Sequence, residues 1–379
     1  MSLRRAVDRS RAYLCLECGI CTGSCPVSRF YPAYSPRLMV ERVLLFDEQE
    51  SLEDREMWAC LTCGTCDVRC PSTVDFTGFM RDLRQQARQI GQEGVCTHAE
   101  VIEAVIELQT SPHFRKATSW IGPGRTASKG KDYYFTGCLP FLDVIFEEIG
   151  FEGKRIGQSA VRILNRLGIT PVISPEEVCC GHDAYWTGQT ELVATLARTN
   201  VKAIRKAGAR RVIFSCPECY YMFKHVYPEI VGDLGFEPVY ILSLLVPEIA
   251  RLKLKPLNAR VTYHDPCRLA RIEGIIDEPR QALKALPDID FVEMSRTGKD
   301  ALCCGSSNWV SCSRVNKQIQ LDRLDEAAST GATLMVTACP KCNIHLRCAL
   351  RDDECKTEIE IVDLMVLLGD HLGGGKRGT

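Results

Sequence analysis

The sequence predicts an α+β, multidomain fold: a largely helical N-terminal domain followed by two pseudo-symmetric α/β halves of Rossmann-like layout. Three observations predict it. A five-cysteine pattern occurs twice, as Cys138, Cys179-Cys180-Gly181, Cys216-Pro217-Glu218-Cys219 and again as Cys267, Cys303-Cys304-Gly305, Cys339-Pro340-Lys341-Cys342. Around each copy, short apolar runs alternate with helical stretches, which is the pattern of βαβ units and a parallel sheet. Upstream of both stands a separate pair of C-x2-C-x2-C-x3-C-P runs.

The expected divisions are residues 1–120 for the first domain, 121–131 for a linker, 132–256 and 257–371 for the two halves, and 372–379 for a disordered tail. In the first domain Pro36–Phe46 and Ser51–Ala59 read as helices, the latter capped by Ser51 with Glu53 and Asp54 in its first turn. Asp75–Ile90 reads as another, closed by Gly91. Arg81, Arg84 and Arg88 recur at helical spacing. They form either a docking stripe for an acidic partner or an ordinary solvated face. The run IGPGRTASKGK, Ile121 to Lys131, has the composition of an inter-domain connection.

In the first half Asp132–Thr136, Ile169–Ile173, Arg211–Phe214 and Glu237–Ile241 read as strands, with helices over Gly157–Leu167 and Glu191–Ala207. The second half repeats the order with Arg260–Tyr263, Asp290–Met294, Thr333–Thr337 and Glu358–Val362. Each cysteine group falls just past the carboxyl end of a strand. Parallel sheets gather those ends along one rim, where such folds bind ligands. Five thiolates from three loops can therefore converge in each half. The tail, rich in glycine, is expected to be disordered.

Composition excludes several classes. A net charge of −1 and a pI near 6.7 leave no electrostatic footprint for nucleic acid. No run reaches the length of a membrane-spanning helix, and Arg4-Arg5 has no apolar segment behind it to make an export signal. A cytoplasmic protein follows, held at a membrane only through a partner. In that compartment 22 cysteines mean metal or catalysis rather than disulfides.

The N-terminal runs are Cys15, Cys18, Cys21, Cys25-Pro26 and Cys60, Cys63, Cys66, Cys70-Pro71. This is the spacing of two-cluster bacterial ferredoxins, in which the fourth cysteine of each run serves the other cluster. Cys15, Cys18, Cys21 and Cys70 are then the ligands of one cubane [4Fe-4S] cluster, and Cys60, Cys63, Cys66 and Cys25 those of the second. Zinc sites favour paired ligands instead. The first domain is thus a helical 2×[4Fe-4S] ferredoxin.

The doubled cysteine pattern resembles the "CCG" domain of heterodisulfide reductases. The N-terminal domain resembles the C-type subunit of that enzyme and the remainder its B-type subunit, together the fused D-type arrangement. The resemblance implies one noncubane [4Fe-4S] cluster per complete set: Cys138, Cys179, Cys180, Cys216 and Cys219, then Cys267, Cys303, Cys304, Cys339 and Cys342. The implied activity is reduction of a disulfide, or oxidation of thiols. Two matched sites flanking a disulfide can each hold one sulfur, so no half-reduced radical is released. A similar layout occurs in electron-transfer subunits of glycolate or glycerol-3-phosphate dehydrogenases, and of benzoyl-CoA reductase-type or sulfite reductase-linked complexes.

No G-x-G-x-x-G opens a helix after a strand, so no flavin or NAD is expected on this chain. The resemblance implies a flavoprotein partner like the A-type subunit of heterodisulfide reductase, including bifurcating forms with a hydrogenase or formate dehydrogenase module. The alternative partner is a membrane cytochrome b. Product thiolates need protons, and His182 and His264 are candidate donors; each also suits a structural histidine bound to a loop carbonyl. Lys341 either offsets cluster charge or is a solvated loop residue. Tyr185 and Trp309 stand at matching distances after the two Cys pairs, where they shield a cluster or pack a core. Cys96, Cys312, Cys348 and Cys355 belong to no set and default to buried, inert thiols.

Overall fold

The structure, a computed structural model, describes residues 3–46, 48–95, 97–306 and 308–373. Cys96 and residues 374–379 of the expected tail lie outside the described residues. The chain forms two compact units that cross the expected boundaries. The first holds residues 1–107, 181–193 and 302–323, and the second 108–180, 194–301 and 324–379.

Helices build the first unit. Phe76–Gln89 starts at Asp75, whose carboxylate accepts from the Gly78 N–H at 2.9 Å, and it buries Phe76, Phe79, Met80, Leu83 and Ala87. Helix Leu3–Ser10 packs along it. Pro36–Leu45 begins with proline after Ser35, whose side chain accepts from Leu38. The helix expected from Ser51 is divided differently. Glu48–Glu53 encloses Ser51, and a short 3₁₀ turn, Arg55–Ala59, starts at Asp54, which accepts from Glu56 at 2.8 Å. A carboxylate three residues on supplies the cap that Ser51 was expected to give.

The segments that trail the two Cys-Cys-Gly motifs belong to this unit rather than to separate halves. Residues 181–193 lie directly on Phe76–Gln89: Gly188, at φ +82°, meets the backbone of Gln85, leaving no room for a Cβ. Residues 302–323 reach the loop after Cys60, where Asn308 Nδ2 donates to Thr62 Oγ1 at 3.2 Å. The Thr97 N–H also donates to the Trp309 carbonyl at 2.8 Å. Sequence order alone hides this packing, because short polar-rich segments carry no periodic signal.

The second unit contains two parallel sheets. The first runs β1 (Asp132–Phe135), β2 (Arg211–Phe214), β3 (Glu237–Tyr240) in that spatial order, with Tyr133 opposite Val212 and Val212 opposite Pro238. The second holds β4 (Arg260–His264), β5 (Asp290–Phe291), β6 (Leu334–Thr337) and β7 (Glu360–Asp363) in the order β5-β4-β6-β7. Ile169–Ile173 does not form the expected strand. Val172 alone makes bridges, to Ala127 and Tyr133; Pro171 beside it has no N–H to give a ladder. The expected linker is packed as well. Asn165 exchanges two bonds with the Arg125 backbone, at 2.8 and 2.9 Å, and Gly130 donates to Ala207 at 3.0 Å.

The two sheet-bearing portions interlock. Helix Gly153–Arg166 packs on Leu364–Asp370, Gly369 sits against Ser159, and Arg155 pairs with Asp370 at 2.6 Å. The Tyr240 hydroxyl lies 3.2 Å from the Ser215 carbonyl and 3.1 Å from that of Ala338.

Asp363, at the end of β7, supports a pH prediction. Its Oδ1 accepts from Met365 at 2.8 Å while Oδ2, fully buried, has no hydrogen-bond partner. Burial pushes this carboxyl up to about 7. The folded chain then keeps a proton that the unfolded chain releases near pH 4. Stability from this group is complete below that pH, falls as pH rises, and levels off above about 7. The change is on the order of 4 kcal/mol at 1.36 kcal/mol per pKa unit. Asp363→Asn is expected to abolish it. Thermal midpoints of the two proteins at pH 4.5 and 8 measure the difference.

Candidate metal centres

The two N-terminal runs fold into matching loops. Glu17 and Thr62, the second residues between the first pair of cysteines in each run, both take left-handed backbones at φ 52° and 48°. Gly19 and Gly64 follow at 76° and 72° and open the short helices Ile20–Ser24 and Thr65–Arg69. A left-handed β-branched threonine is strained; the turn it makes aims the Thr62 N–H at Cys60 Sγ, 3.3 Å away. Thr65 Oγ1 lies 3.3 Å from Cys63 Sγ, and the Val74 N–H donates to Cys70 Sγ at 3.4 Å.

Cys25, Cys60, Cys63 and Cys66 line one cavity, walled by Val27, Tyr34, Pro36, Leu61 and Phe76. The fourth cysteine of the first run thus joins the first three of the second. Burial pushes the Cys25 thiol up to about 12, and it raises Cys66 well above its ordinary value. Four sulfurs around an apolar hole are costly as bare thiolates. A cationic iron core removes that cost, so this donor set fits a cluster. Cys15, Cys18 and Cys21 are neighbours too: Cys21 is raised by burial first and then by charge on Cys15 and Cys18. This group is open, with Cys18 exposed and Cys15 and Cys21 half-buried; Cys70, expected as its fourth member, is half-buried as well.

The expected arginine stripe is absent from the surface. Arg84 has no exposure at all. Its Nη2 donates to the carbonyls of Met57 and Cys60, both at 2.8 Å, and its Nη1 to Trp186 at 3.1 Å. Arg81 pairs with Asp82 and the Tyr185 hydroxyl, and Arg88 with Glu93 and Glu103. Helical spacing put the three on one face; that face is covered by residues 181–193.

In the second unit the first quintet converges. Cys138 Sγ lies 3.2 Å from Cys179 Sγ. Hydrogen bonding from Cys179 raises the Cys180 thiol well above its ordinary value. Cys219 is raised likewise by bonds to Cys180 and then Cys216. The five sulfurs thus form one connected chain, a donor set that fits an iron cluster. Cys138 and Cys216 are half-buried and the other three buried. Of the second quintet, Cys267, Cys339 and Cys342 belong to this unit, with Cys267 half-buried; Cys303 and Cys304 are buried in the first unit.

Sequence reasoning missed the framework of the first quintet. Glu177, wholly buried, accepts from the Thr136 and Gly137 N–H groups and pairs with buried Lys116. Lys116 also donates to the Gly137 carbonyl at 3.1 Å, fixing the loop that carries Cys138. Asn200 accepts from Val178 at 2.9 Å and donates to the Cys179 carbonyl at 3.0 Å; Gln109 accepts from the Cys179 N–H at 2.8 Å. The only sequence signal was the position of Glu177, two residues before Cys179.

The remaining candidates are placed as follows. Lys341 is buried and pairs with Glu218 at 3.0 Å, so it is not a solvated residue. The variable positions of the two Cys-Pro-x-Cys motifs therefore meet. His264, buried at the end of β4, places a ring nitrogen within 4.8 Å of Cys342 Sγ. His182, also buried, accepts from the Trp186 indole at 3.1 Å rather than binding a loop carbonyl. Tyr185 lies under the Arg81 guanidinium, 4.8 Å from ring centre to carbon. Trp309 donates to Asp183 at 3.1 Å. Cys312 is exposed, against expectation, and Cys348 and Cys355 are half-buried.

Comparison with known proteins gives three kinds of match. Residues 11–74 match the 4Fe-4S dicluster domain, and residues 133–224 and 261–347 each match the cysteine-rich CCG domain. The chain is 33% identical over 266 residues to the D-type subunit of the dihydromethanophenazine:CoB–CoM heterodisulfide reductase of Methanosarcina barkeri, covering 67% of this chain and 62% of that one. It is 28% identical over 377 residues to the B-type subunit of the fumarate reductase (CoM/CoB) of Methanothermobacter marburgensis, covering 95% and 72%. It is 29% identical over 255 residues to the EtfAB:quinone oxidoreductase of Syntrophomonas wolfei, covering 63% and 34%. The crystal structure of a hypothetical protein from Helicobacter pylori shares the fold, with a TM-score of 0.60 at 12% identity over 92% of this chain and 68% of that one. Among the described residues no helix is long and apolar enough to cross a membrane.

Proposed function

Because the chain belongs with the iron–sulfur proteins that join a 4Fe-4S dicluster domain to two cysteine-rich CCG domains, and is related to the D-type subunit of heterodisulfide reductase, we propose that it reduces a disulfide within a larger complex. The balance is one disulfide, two electrons and two protons giving two thiols. Bound clusters would supply the electrons singly: cubanes at Cys15, Cys18, Cys21, Cys70 and at Cys60, Cys63, Cys66, Cys25, noncubane clusters at the two quintets.

One observation supports this reading above the rest: the Glu218–Lys341 pair brings the two Cys-Pro-x-Cys motifs together. A disulfide between them presents one sulfur to each. Half-buried Cys138, Cys216 and Cys267 leave an approach from solvent. Electrons enter at the open Cys18 loop, where Tyr13, Leu14, Leu16 and Ile20 are exposed for a partner. That partner is a flavoprotein like the A-type subunit of heterodisulfide reductase, electron-bifurcating or not, or a membrane cytochrome b. The buried Cys60 group follows, in contact with segments trailing both Cys-Cys-Gly motifs. His264 stands beside Cys342 to supply a proton.

Anaerobically purified protein is expected to hold about 16 iron atoms per chain and little zinc. Mixing oxidised protein with the thiol coenzyme M should then give a new EPR signal on freezing, lost in Cys180→Ser. A fully loaded chain silent toward every thiol and disulfide tried would instead be an electron relay only, the second reading, which its likeness to the EtfAB:quinone oxidoreductase favours.

A further inference from the structure

Arg84 is a cation buried without an anion. Its side chain is wholly inaccessible, its three hydrogen-bond partners are carbonyls, and its guanidinium lies over the Trp58 ring at 5.2 Å. Among the described residues no carboxylate pairs with it. An unpaired buried charge is among the most costly groups a protein can carry, and carbonyl dipoles recover only part of the cost. The missing anion has an address. Cys60 accepts from Arg84 through its own carbonyl and lines the cavity shared with Cys25, Cys63 and Cys66.

We propose that Arg84 is the counter-charge of the cluster held at that cavity and sets its reduction potential. The proposal rests on the reading of the Cys60 group as a cluster site. A cluster held by four thiolates is a net anion and gains a further negative charge on reduction. A fixed cation at its edge, in a low-dielectric surround, favours the reduced form. The open Cys18 group has no buried arginine of this kind among the described residues. Electrons therefore run from the exposed group to the buried one, and Arg84 holds them there. Its third bond, to Trp186, ties the same guanidinium to the segment that follows Cys180.

The test uses the full chain, loaded and anaerobic, and begins with iron content. Protein lacking iron at the Cys60 group would defeat the cluster reading itself, a different failure from the one sought here. EPR-monitored redox titration then compares wild type, Arg84→Gln and Arg84→Lys. Arg84→Gln is expected to lower the reduced-to-oxidised ratio of one cubane about tenfold at fixed potential, or about 59 mV for one electron, leaving the other cubane unmoved. Arg84→Lys keeps the charge but not the fork, and should stay within about threefold of wild type. Unchanged potentials in a loaded Arg84→Gln would overturn the proposal. If Arg84→Gln does not fold, Arg84→Lys decides: a wild-type potential upholds the counter-charge role, and a drop as large as that expected for charge removal refutes it.

Discussion

Serine at Cys25 is expected to strip iron not from the run in which Cys25 sits but from the other. Cys25 lines the cavity of Cys60, Cys63 and Cys66, so the EPR signal lost should be that of the buried group. Iron should fall by up to about four atoms per chain. Electron delivery to the quintets should slow by about 100-fold, the upper end of what disturbing a metal site costs. Cys70→Ser is the mirror experiment, removing the open group instead. Loss of the open group's signal in Cys25→Ser and of the buried group's in Cys70→Ser would mean that each run serves its own cluster. Iron assay, EPR and stopped-flow reduction distinguish the outcomes.

Lys116→Met is expected to be the most destabilising single change away from the cysteines. Lys116 and Glu177 are 2% and 0% exposed. Removing one member of such a pair leaves a buried, uncompensated charge, at a cost of about 3–5 kcal/mol. The damage should also reach the metal site, because Glu177 holds the N–H groups of Thr136 and Gly137 just before Cys138. Thermal unfolding should show the loss, and iron at the first quintet should be more easily taken by a chelator. Lys116→Met with Glu177→Gln should recover much of the stability, since a neutral replacement of both partners costs far less than removal of one. A single variant as stable as wild type would show that water reaches the pair.

What could be read from the sequence follows from what chemistry allows to vary. Iron–sulfur sites draw on thiolates, and loop geometry fixes their spacing, so the 18 candidate cysteines stood out in the chain. Short aromatic and β-branched runs marked β1, β2, β3, β4, β6 and β7, because residues that pack on a pleated, half-covered surface are drawn from few types. Buried charges were not legible. Arg84, Lys116, Glu177 and Lys341 look like surface residues, and only a partner distant in sequence makes their burial possible. Helical spacing showed that Arg81, Arg84 and Arg88 share a face, not what covers it. Pro171 stopped a strand that the apolar run around it suggested.

The interlocking of Gly153–Arg166 with Leu364–Asp370 bears on how the duplicated region can be handled and how it changes over time. A chain cut near residue 256 would bare the Ser159 face of one piece and orphan Gly369 on the other, so neither copy is a transplantable part. Substitutions drifting into one copy are screened by their fit to the other. The chain carries two copies of the cysteine-rich domain, and the shared core obliges them to be inherited together.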